Sequence, residues 1–482
     1  MSRATRAAFD EQVGRALGDA TLQEVIRDGQ DFMQVFHEQA RGELDWPALL
    51  DQVEAVRSHT VENLDYYVDQ FAANVEKRGG VVYFAATAQE ARAHVLALAR
   101  QRSAKLIVKA KSLLTEEIGL NAALEAAGIE VVETDLGEVI IQLAHEKPFH
   151  IVAPAIHKSL EQIRVLLSAA AGEELPADPA ALTAFARRFL REKFFAADIG
   201  ISGCNFGVAS TGSVVLVTNE GNGRMTTTLP KTHVVVMGME RLVPDFESLE
   251  PILAVLPWMG GGTRMTSYVT AISGPRQAGD EDGPEELHVV IVDNGRSAIL
   301  GGKYQKILNC IRCGACLDVC PVYRKIGGHA YGAAYSGPIG AVLTPLLDGF
   351  QHHPELPYAS SLCGACSEIC SARIPLADYL LELRADMVRL GSGSGAWQFG
   401  FRGFAETAVR PRVWDAAERL AGVAARPLTA GGAIRWAPGL PGLWTRTRDL
   451  PAVARQSFRR LWRRRPSDAR DGEGTGGTRR LP

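Results

Sequence analysis

The sequence predicts an α/β domain built on a mostly parallel sheet, then a small α-helical module organised by two cysteine runs, then a helical or irregular C-terminal region. Three observations lead there. From Gly79 to about Leu300, short apolar runs alternate with helix-length amphipathic segments, the pattern of parallel strands joined by crossover helices. Seven of the eight cysteines fall between residues 310 and 370. Residues 391–395 read Gly-Ser-Gly-Ser-Gly, a composition that makes flexible linkers, and the remainder is rich in Arg, Trp and Pro.

Taken in order, residues 1–76 read as a polar, amphipathic helical segment, as in Ala48–Val56 and Leu64–Phe71, expected to pack on the next domain. Residues 77–300 carry the alternation. Val81–Phe84 is a strand-length apolar run and Ala88–Gln101 a helix. Ala104–Ala110 and Leu113–Ala127 repeat that pair, and Ile129–Thr134 follows as a strand. Val214–Val217, His233–Met237 and His288–Val292 are further strands. In such sheets ligands bind at the carboxyl ends of the strands. Residues 301–390 hold both cysteine runs and a helix ending near Asp348. Residues 391–482 include a weakly helical stretch, Val413–Ala425, and a basic tail from about Arg464 with the composition of a disordered terminus.

At 482 residues the chain has room for two or three domains, and 46% hydrophobic content suffices for ordinary cores. A net charge of −3 gives no global pull toward nucleic acid. No apolar run approaches the ~20 residues of a membrane helix, and the first residues lack the apolar core of a secretory signal. A cytoplasmic protein is expected, since clustered thiols suit that reducing compartment. The Arg/Trp-rich segment Phe458–Arg465 could make a peripheral contact with an acidic membrane surface.

The first cysteine run is Cys310-Ile-Arg-Cys313-Gly-Ala-Cys316-Leu-Asp-Val-Cys320-Pro321, or C-x2-C-x2-C-x3-C-P. Three such cysteines on one tight loop wrap a cuboidal iron–sulfur cluster, and the fourth points away to ligate a second cluster, as in bacterial ferredoxins. Cys363-Gly-Ala-Cys366-Ser-Glu-Ile-Cys370 superposes on it as an internal repeat. Cys363, Cys366 and Cys370 match Cys313, Cys316 and Cys320, and Ser360 stands where Cys310 would. Exchanging the remote ligands predicts cluster one on Cys310, Cys313, Cys316 and Cys370, a full set for a [4Fe–4S] centre. Cluster two then draws on Cys320, Cys363 and Cys366, one thiolate short. It is expected to be [3Fe–4S], or [4Fe–4S] with a non-cysteine or open fourth position, with Ser360 and Ser361 as nearby candidates. Structural zinc uses CxxC pairs, and disulfide frameworks belong to small secreted domains; surplus cysteines in triplets fit neither. Cys204 stands alone and reads as a small buried apolar residue.

Elsewhere, Ser210–Ser213 precedes a strand and Thr218–Arg224 follows it as a glycine-rich turn. Such turns let backbone N–H groups approach an anion, with Arg224 as a bidentate clamp; turns that merely need glycine explain them too. Lys109, Lys111, Glu116, Glu117, Asp135 and Glu138 lie just past strand ends and should gather at one sheet edge, which Gly260–Arg264 could join. His329 is a candidate to hydrogen-bond a cluster sulfur or to brace its loop. No phosphate-binding loop, post-strand GxGxxG, HExxH or GxSxG motif occurs, and no catalytic constellation is evident.

The stretches CIRCGACLDVCPVYRKIGGHAYGAAYSGPIG, ASSLCGACSEIC and, upstream, GVASTGSVVLVTNEGNGRMTTTLPKTHVVVMGMERL together resemble the lactate utilization protein B family of iron–sulfur proteins, over residues 20–460. The resemblance implies a LUD-type α/β domain followed by a ferredoxin-like two-cluster module. It implies a non-catalytic electron carrier that works with companion proteins A and C in oxidising L-lactate to pyruvate, passing electrons to an unidentified acceptor. It places the cluster ligands on Cys310, Cys313, Cys316 and Cys370, and on Cys320, Cys363 and Cys366. That family often has proline after its last cysteine, where this chain has Ser371. The alternatives are an iron–sulfur subunit of another hydroxy-acid or glycerol-phosphate dehydrogenase, and a redox sensor whose α/β domain binds a small molecule.

Overall fold

A computed structural model describes residues 3–390, 395–446, 448–454 and 456–463. Most of the 391–395 linker, and the basic tail from Arg464, lie outside the described residues. The described residues of Met1–Ser392 form one compact unit and those of Gly393–Pro482 a second.

The first unit contains β1 (Val81–Ala85), β2 (Leu106–Lys109), β3 (Glu130–Glu133), β4 (Ile199–Ser202), β5 (Phe206–Val208), β6 (Ser213–Thr218), β7 (Thr232–Gly238), β8 (Leu242–Val243), β9 (Tyr268–Ile272) and β10 (Glu286–Val292). Six of them form a sheet in the order β1-β10-β7-β4-β2-β3, with every neighbouring pair parallel. A parallel sheet is covered on both faces, so its strands read as continuous apolar runs. Thus β7 is buried along its whole length. Its side chains alternate: Val234 and Val236 enter one core with Ala91 and Val95 of the helix Ala88–Gln101, and Val235 and Met237 enter another with Leu64, Phe71 and Val75 of the helix Leu64–Lys77.

Two local expectations are corrected. The stretch Leu113–Ala127 is two helices, Leu113–Glu117 and Leu120–Glu125, because Gly119 between them turns left-handed at φ 64°. The run Val214–Val217 is not in the parallel sheet. As part of β6 it pairs antiparallel with β5 and β9 in a separate sheet ordered β8-β5-β6-β9. Only residues 209–212 separate β5 from β6, far fewer than the dozen or so that a parallel crossover needs. Gly212, at φ 68°, closes that turn with its N–H donating to the Val208 carbonyl at 2.9 Å.

The N-terminal helices cover more than the neighbouring sheet. Ala20–Glu43 and Trp46–Glu62 share a core with the cysteine module, joining Ile26, Trp46 and Val53 to Tyr323, Ile339 and Leu380. Buried Gln30 donates to the carbonyls of Leu317 at 2.7 Å and Cys320 at 3.3 Å. In the second unit, Phe404 of the helix Gly395–Ala408 meets Trp414 of the helix Pro411–Ala425 edge to face, at 5.7 Å. Among the described residues no helix is long and apolar enough to cross a membrane.

Candidate metal centres

The two cysteine runs share one backbone. Arg312 and Leu362 take positive φ, at 63° and 56°, immediately before Cys313 and Cys363. Gly314 (φ 83°) and Gly364 (φ 87°) follow in the left-handed region and start the short helices Ala315–Asp318 and Ala365–Glu368. Glycine takes that conformation at little cost. Upstream, the Arg312 N–H donates to Cys310 Sγ at 3.4 Å, and the Leu362 N–H donates to Ser360 Oγ at 3.1 Å. Ser360 therefore makes the hydrogen bond that Cys310 makes in the first run.

The folded chain gathers the cysteines across the two runs. Cys370 lies within electrostatic reach of Cys313 and Cys310, and Cys316 within reach of Cys313, Cys310, Cys370 and Cys366. Cys366 lies within reach of Cys320 and Cys363. Cys320 and Cys366 are buried and Cys363 is exposed. Burial pushes the thiols of Cys313 and Cys366 up to about 11 and that of Cys370 up to about 12. Such thiols stay protonated until a metal supplies the opposing charge, because a coordinating thiol is deprotonated outright. Among the described residues no three cysteine sulfurs lie within 4.8 Å of one another. Four thiolates on one tetrahedral zinc would sit about 3.8 Å apart, from a Zn–S length near 2.3 Å. Seven thiols in two sets, drawn together across the two runs, are the donor chemistry that iron–sulfur clusters use.

The surroundings of the two sets differ. Arg57, Arg241 and Arg312 all lie within electrostatic reach of Cys310. Arg57, fully buried, donates to the carbonyls of Leu242 at 2.5 Å, Glu240 at 2.6 Å, Leu308 at 2.9 Å and Asn309 at 3.2 Å. Arg241 donates to the Cys310 carbonyl at 2.8 Å. Ser371 Oγ, buried, reaches Cys313 Sγ at 3.6 Å. Near the second set, the Ser361 hydroxyl bonds Cys363.

The acid and base residues expected at one sheet edge do gather there. Lys109 Nζ, fully buried, lies 2.7 Å from Glu133 and 3.5 Å from Glu116, and Lys111 lies 3.7 Å from Asp135. Glu117 instead pairs with Arg296 at 2.8 Å. Beside this edge is a cavity of about 230 Å³ lined by Lys111, Gly260 and Gly261 among others. Arg224 is not part of it: its guanidinium stacks on Tyr268 at 5.3 Å. Of the two roles the sequence offers His329, its Nε2 takes the bracing one, bonding the Lys147 carbonyl at 2.8 Å. Cys204 lines the cavity, half-buried, and burial lifts its thiol to about 12. Arg57, Glu240, Arg241 and Arg296 carried no sequence signal, because each acts on partners far along the chain. Arg312 could have been found, since it sits inside the first cysteine run.

Comparison with known proteins completes the description. Residues 68–292 match the LUD domain family, residues 306–374 the 4Fe-4S dicluster domain, and residues 391–467 the family described as lactate utilisation protein B, C-terminal. Lactate utilization protein B of Shouchella clausii is 47% identical over 464 residues, covering 96% of this chain and 98% of its own. The Bacillus subtilis protein of that name is 48% identical over 455 residues, covering 94% and 95%. That of Geobacillus thermodenitrificans is 50% identical over 423 residues, covering 87% and 88%. With a LUD domain on a parallel α/β core and a 4Fe-4S dicluster domain after it, the chain belongs to the lactate utilization protein B family of iron–sulfur proteins.

Proposed function

We propose that this chain is the iron–sulfur electron-transfer component of L-lactate oxidation to pyruvate, working with companion proteins A and C and not itself performing the lactate chemistry. The observation that supports the reading is proximity across the runs: Cys370 lies within electrostatic reach of Cys310 and Cys313, and Cys320 within reach of Cys363 and Cys366, as an exchange of remote ligands would need. Cys310, Cys313, Cys316 and Cys370 would hold a four-iron cluster. Cys320, Cys363 and Cys366 would hold the second, a [3Fe–4S] centre or a [4Fe–4S] centre with a non-cysteine or open fourth position, where Ser360 stands in place of a cysteine. Each cluster, when bound, exchanges single electrons at a potential set by its net charge, hydrogen bonds and exposure. Arg57, Arg241 and Arg312 favour added negative charge beside Cys310. Exposed Cys363 makes the second set the one that an outside partner reaches. The C-terminal unit leaves Phe399, Phe401, Trp436 and Trp444 exposed, which suits assembly with companions.

The test is EPR of anaerobically purified protein, as isolated and after dithionite, with iron and sulfide counted. Two interacting reduced clusters, or one reduced four-iron signal beside an oxidised three-iron signal, are expected. Ser360→Cys should convert a three-iron signal to a four-iron one, and Cys366→Ser should erase only the second cluster. Zinc in place of iron would overturn the reading.

A further inference from the structure

We propose that the cavity beside the first cysteine set is a binding site for a short-chain organic carboxylate, a 2-hydroxy or 2-oxo acid, with Arg312 as its carboxylate anchor. The cavity lies at the carboxyl ends of the parallel strands, reaching Met237 and Gly238 of β7 and Lys111 beyond β2, and is closed by Arg312 and Tyr335 of the cysteine module. That sheet end is where open α/β sheets hold their ligands. None of the seven clustered cysteines lines it, so it is not the space that a cluster would fill.

Three properties define the ligand. The first is charge. Four cations, Lys111, Arg241, Arg296 and Arg312, line the cavity against one carboxylate, Glu240. Arg296 is saturated by Glu117 and Glu240, Lys111 bonds the Val152 carbonyl at 2.6 Å, and Arg241 holds Cys310. Arg312 is not saturated. Its Nη2 reaches Glu240 at 3.4 Å and its plane stacks on Tyr335 at 4.5 Å, while its Nη1 is buried with no partner. A buried charged donor left unpaired is costly, and an anion bound there would remove the cost.

The second property is polarity beyond the anchor. Asn205 Oδ1 accepts from the Val217 N–H at 2.9 Å, and Asn219 Oδ1 accepts from the Ser267 N–H and the Thr266 hydroxyl, both at 3.0 Å. Both amides are thereby oriented, and their NH₂ groups remain as donors for a hydroxyl or keto oxygen. The third is size and shape. About 230 Å³ is room enough for a small organic acid. Leu216, Val217, Leu256 and Pro257 supply apolar wall, which an inorganic anion would not use.

A redox consequence rests on the electron-carrier reading. Cys310 Sγ accepts from the Arg312 N–H, so the bound anion would sit across one residue from the first set. Reduction adds negative charge there, and the acid should bind less tightly to the reduced protein. By reciprocity the acid should make that cluster harder to reduce by the same factor.

Isothermal titration of the full chain, purified anaerobically, tests the site with L-lactate, pyruvate and neutral lactamide. The expected result is saturable binding of the two acids, at least tenfold weaker binding of lactamide, and at least threefold weaker acid binding after dithionite. Gly261→Leu begins a side chain 3.7 Å from Asn219 at the cavity wall, with no atom of the cysteine loops within 4 Å of the new Cβ; it should weaken the acids at least tenfold with iron content unchanged. Arg312→Lys should do the same if its loop still folds. Lack of acid binding in iron-loaded protein, equal binding of lactamide, or indifference to Gly261→Leu would overturn the site. Acid binding by a chain that holds no iron would overturn the electron-carrier reading and leave the site standing.

Discussion

Arg296→Met strikes the centre of the buried charge network. Arg296 is 1% exposed. Its Nε donates to Glu240 at 2.7 Å, its Nη1 and Nη2 donate to Glu117 at 2.9 and 2.8 Å, and Nη1 also reaches the Asp293 carbonyl at 3.0 Å. Both carboxylates are buried or nearly so. Methionine keeps much of the volume and removes the charge. Glu117 would keep the Tyr335 hydroxyl at 2.6 Å and Asn294 Nδ2 at 2.8 Å, and Glu240 would keep Arg312, so neither is stripped bare. Breaking a buried pair by removing one partner costs about 3–5 kcal/mol, and the remaining donors put the expectation at the lower end, about 3 kcal/mol. Adding Glu117→Gln removes one stranded charge, so the double variant should be less destabilised than the sum by about 1–3 kcal/mol. Burial pushes both carboxyls up, but the guanidinium and its neighbours outweigh it and hold them below the ordinary glutamate value of 4.5. Their contribution is therefore present above pH 4.5 and lost as pH falls below it, and the gap between variant and parent should narrow in acid. Urea denaturation by far-UV circular dichroism, at pH 7 and pH 4, measures all three quantities. A loss under about 1 kcal/mol at pH 7, or additive singles, would refute the reasoning.

Four further outcomes are expected. Ser371→Ala removes the hydroxyl at Cys313 Sγ and should lower the first cluster's potential by ~20–40 mV in an EPR-monitored redox titration, taking a differential of ~0.5–1 kcal/mol for the hydrogen bond at 59 mV per tenfold. Glu138, pushed up to about 8 by burial and then by the charge of Glu133, binds a proton in the fold that it lacks when unfolded between pH 4.5 and 8, so stability should fall with rising pH across that window. Glu138→Gln should flatten that slope in denaturation midpoints. Gly328→Ala places a Cβ on the carbonyl oxygen of Phe149 and should abolish soluble, iron-loaded protein; recovery of normal yield and iron would sink the packing argument. Removing the iron by chelation should speed amide exchange in residues 305–313 while leaving β7 protected, as read by hydrogen-exchange mass spectrometry.

The chemistry-bearing part of this chain was legible because iron–sulfur ligation writes itself locally. A C-x2-C-x2-C loop is a property of a few consecutive residues, and the Ser360 substitution could be read by laying one run on the other. The central strands β2, β7 and β10 were legible because burial on both faces yields long apolar runs, and the edge strands β1 and β3 showed shorter ones, although β1 is mostly exposed or half-buried. The strand β4 was not, because Ile199-Gly200-Ile201-Ser202 carries a glycine that lets the Thr226 carbonyl approach and so weakens the apolar signal. The second sheet escaped because β5 and β8 are three and two residues long, and because strand identity says nothing about which sheet a strand joins.

What sequence reading divides into segments, long-range charge ties together. Glu240 follows β7, Arg296 follows β10, Glu117 lies on a helix past β2, and Arg312 and Tyr335 belong to the cysteine module, yet they form one buried network. Arg57, from an N-terminal helix, clasps carbonyls of residues 240 and 242 on one side and 308 and 309 on the other. Buried ion pairs of this kind seldom add stability over apolar packing, so their value here is better sought in position. Arg241 and Arg312 both lie against Cys310 and line the neighbouring cavity. Any change of charge in the first cysteine set must therefore be felt at the cavity, and any anion in the cavity must be felt at the cysteines.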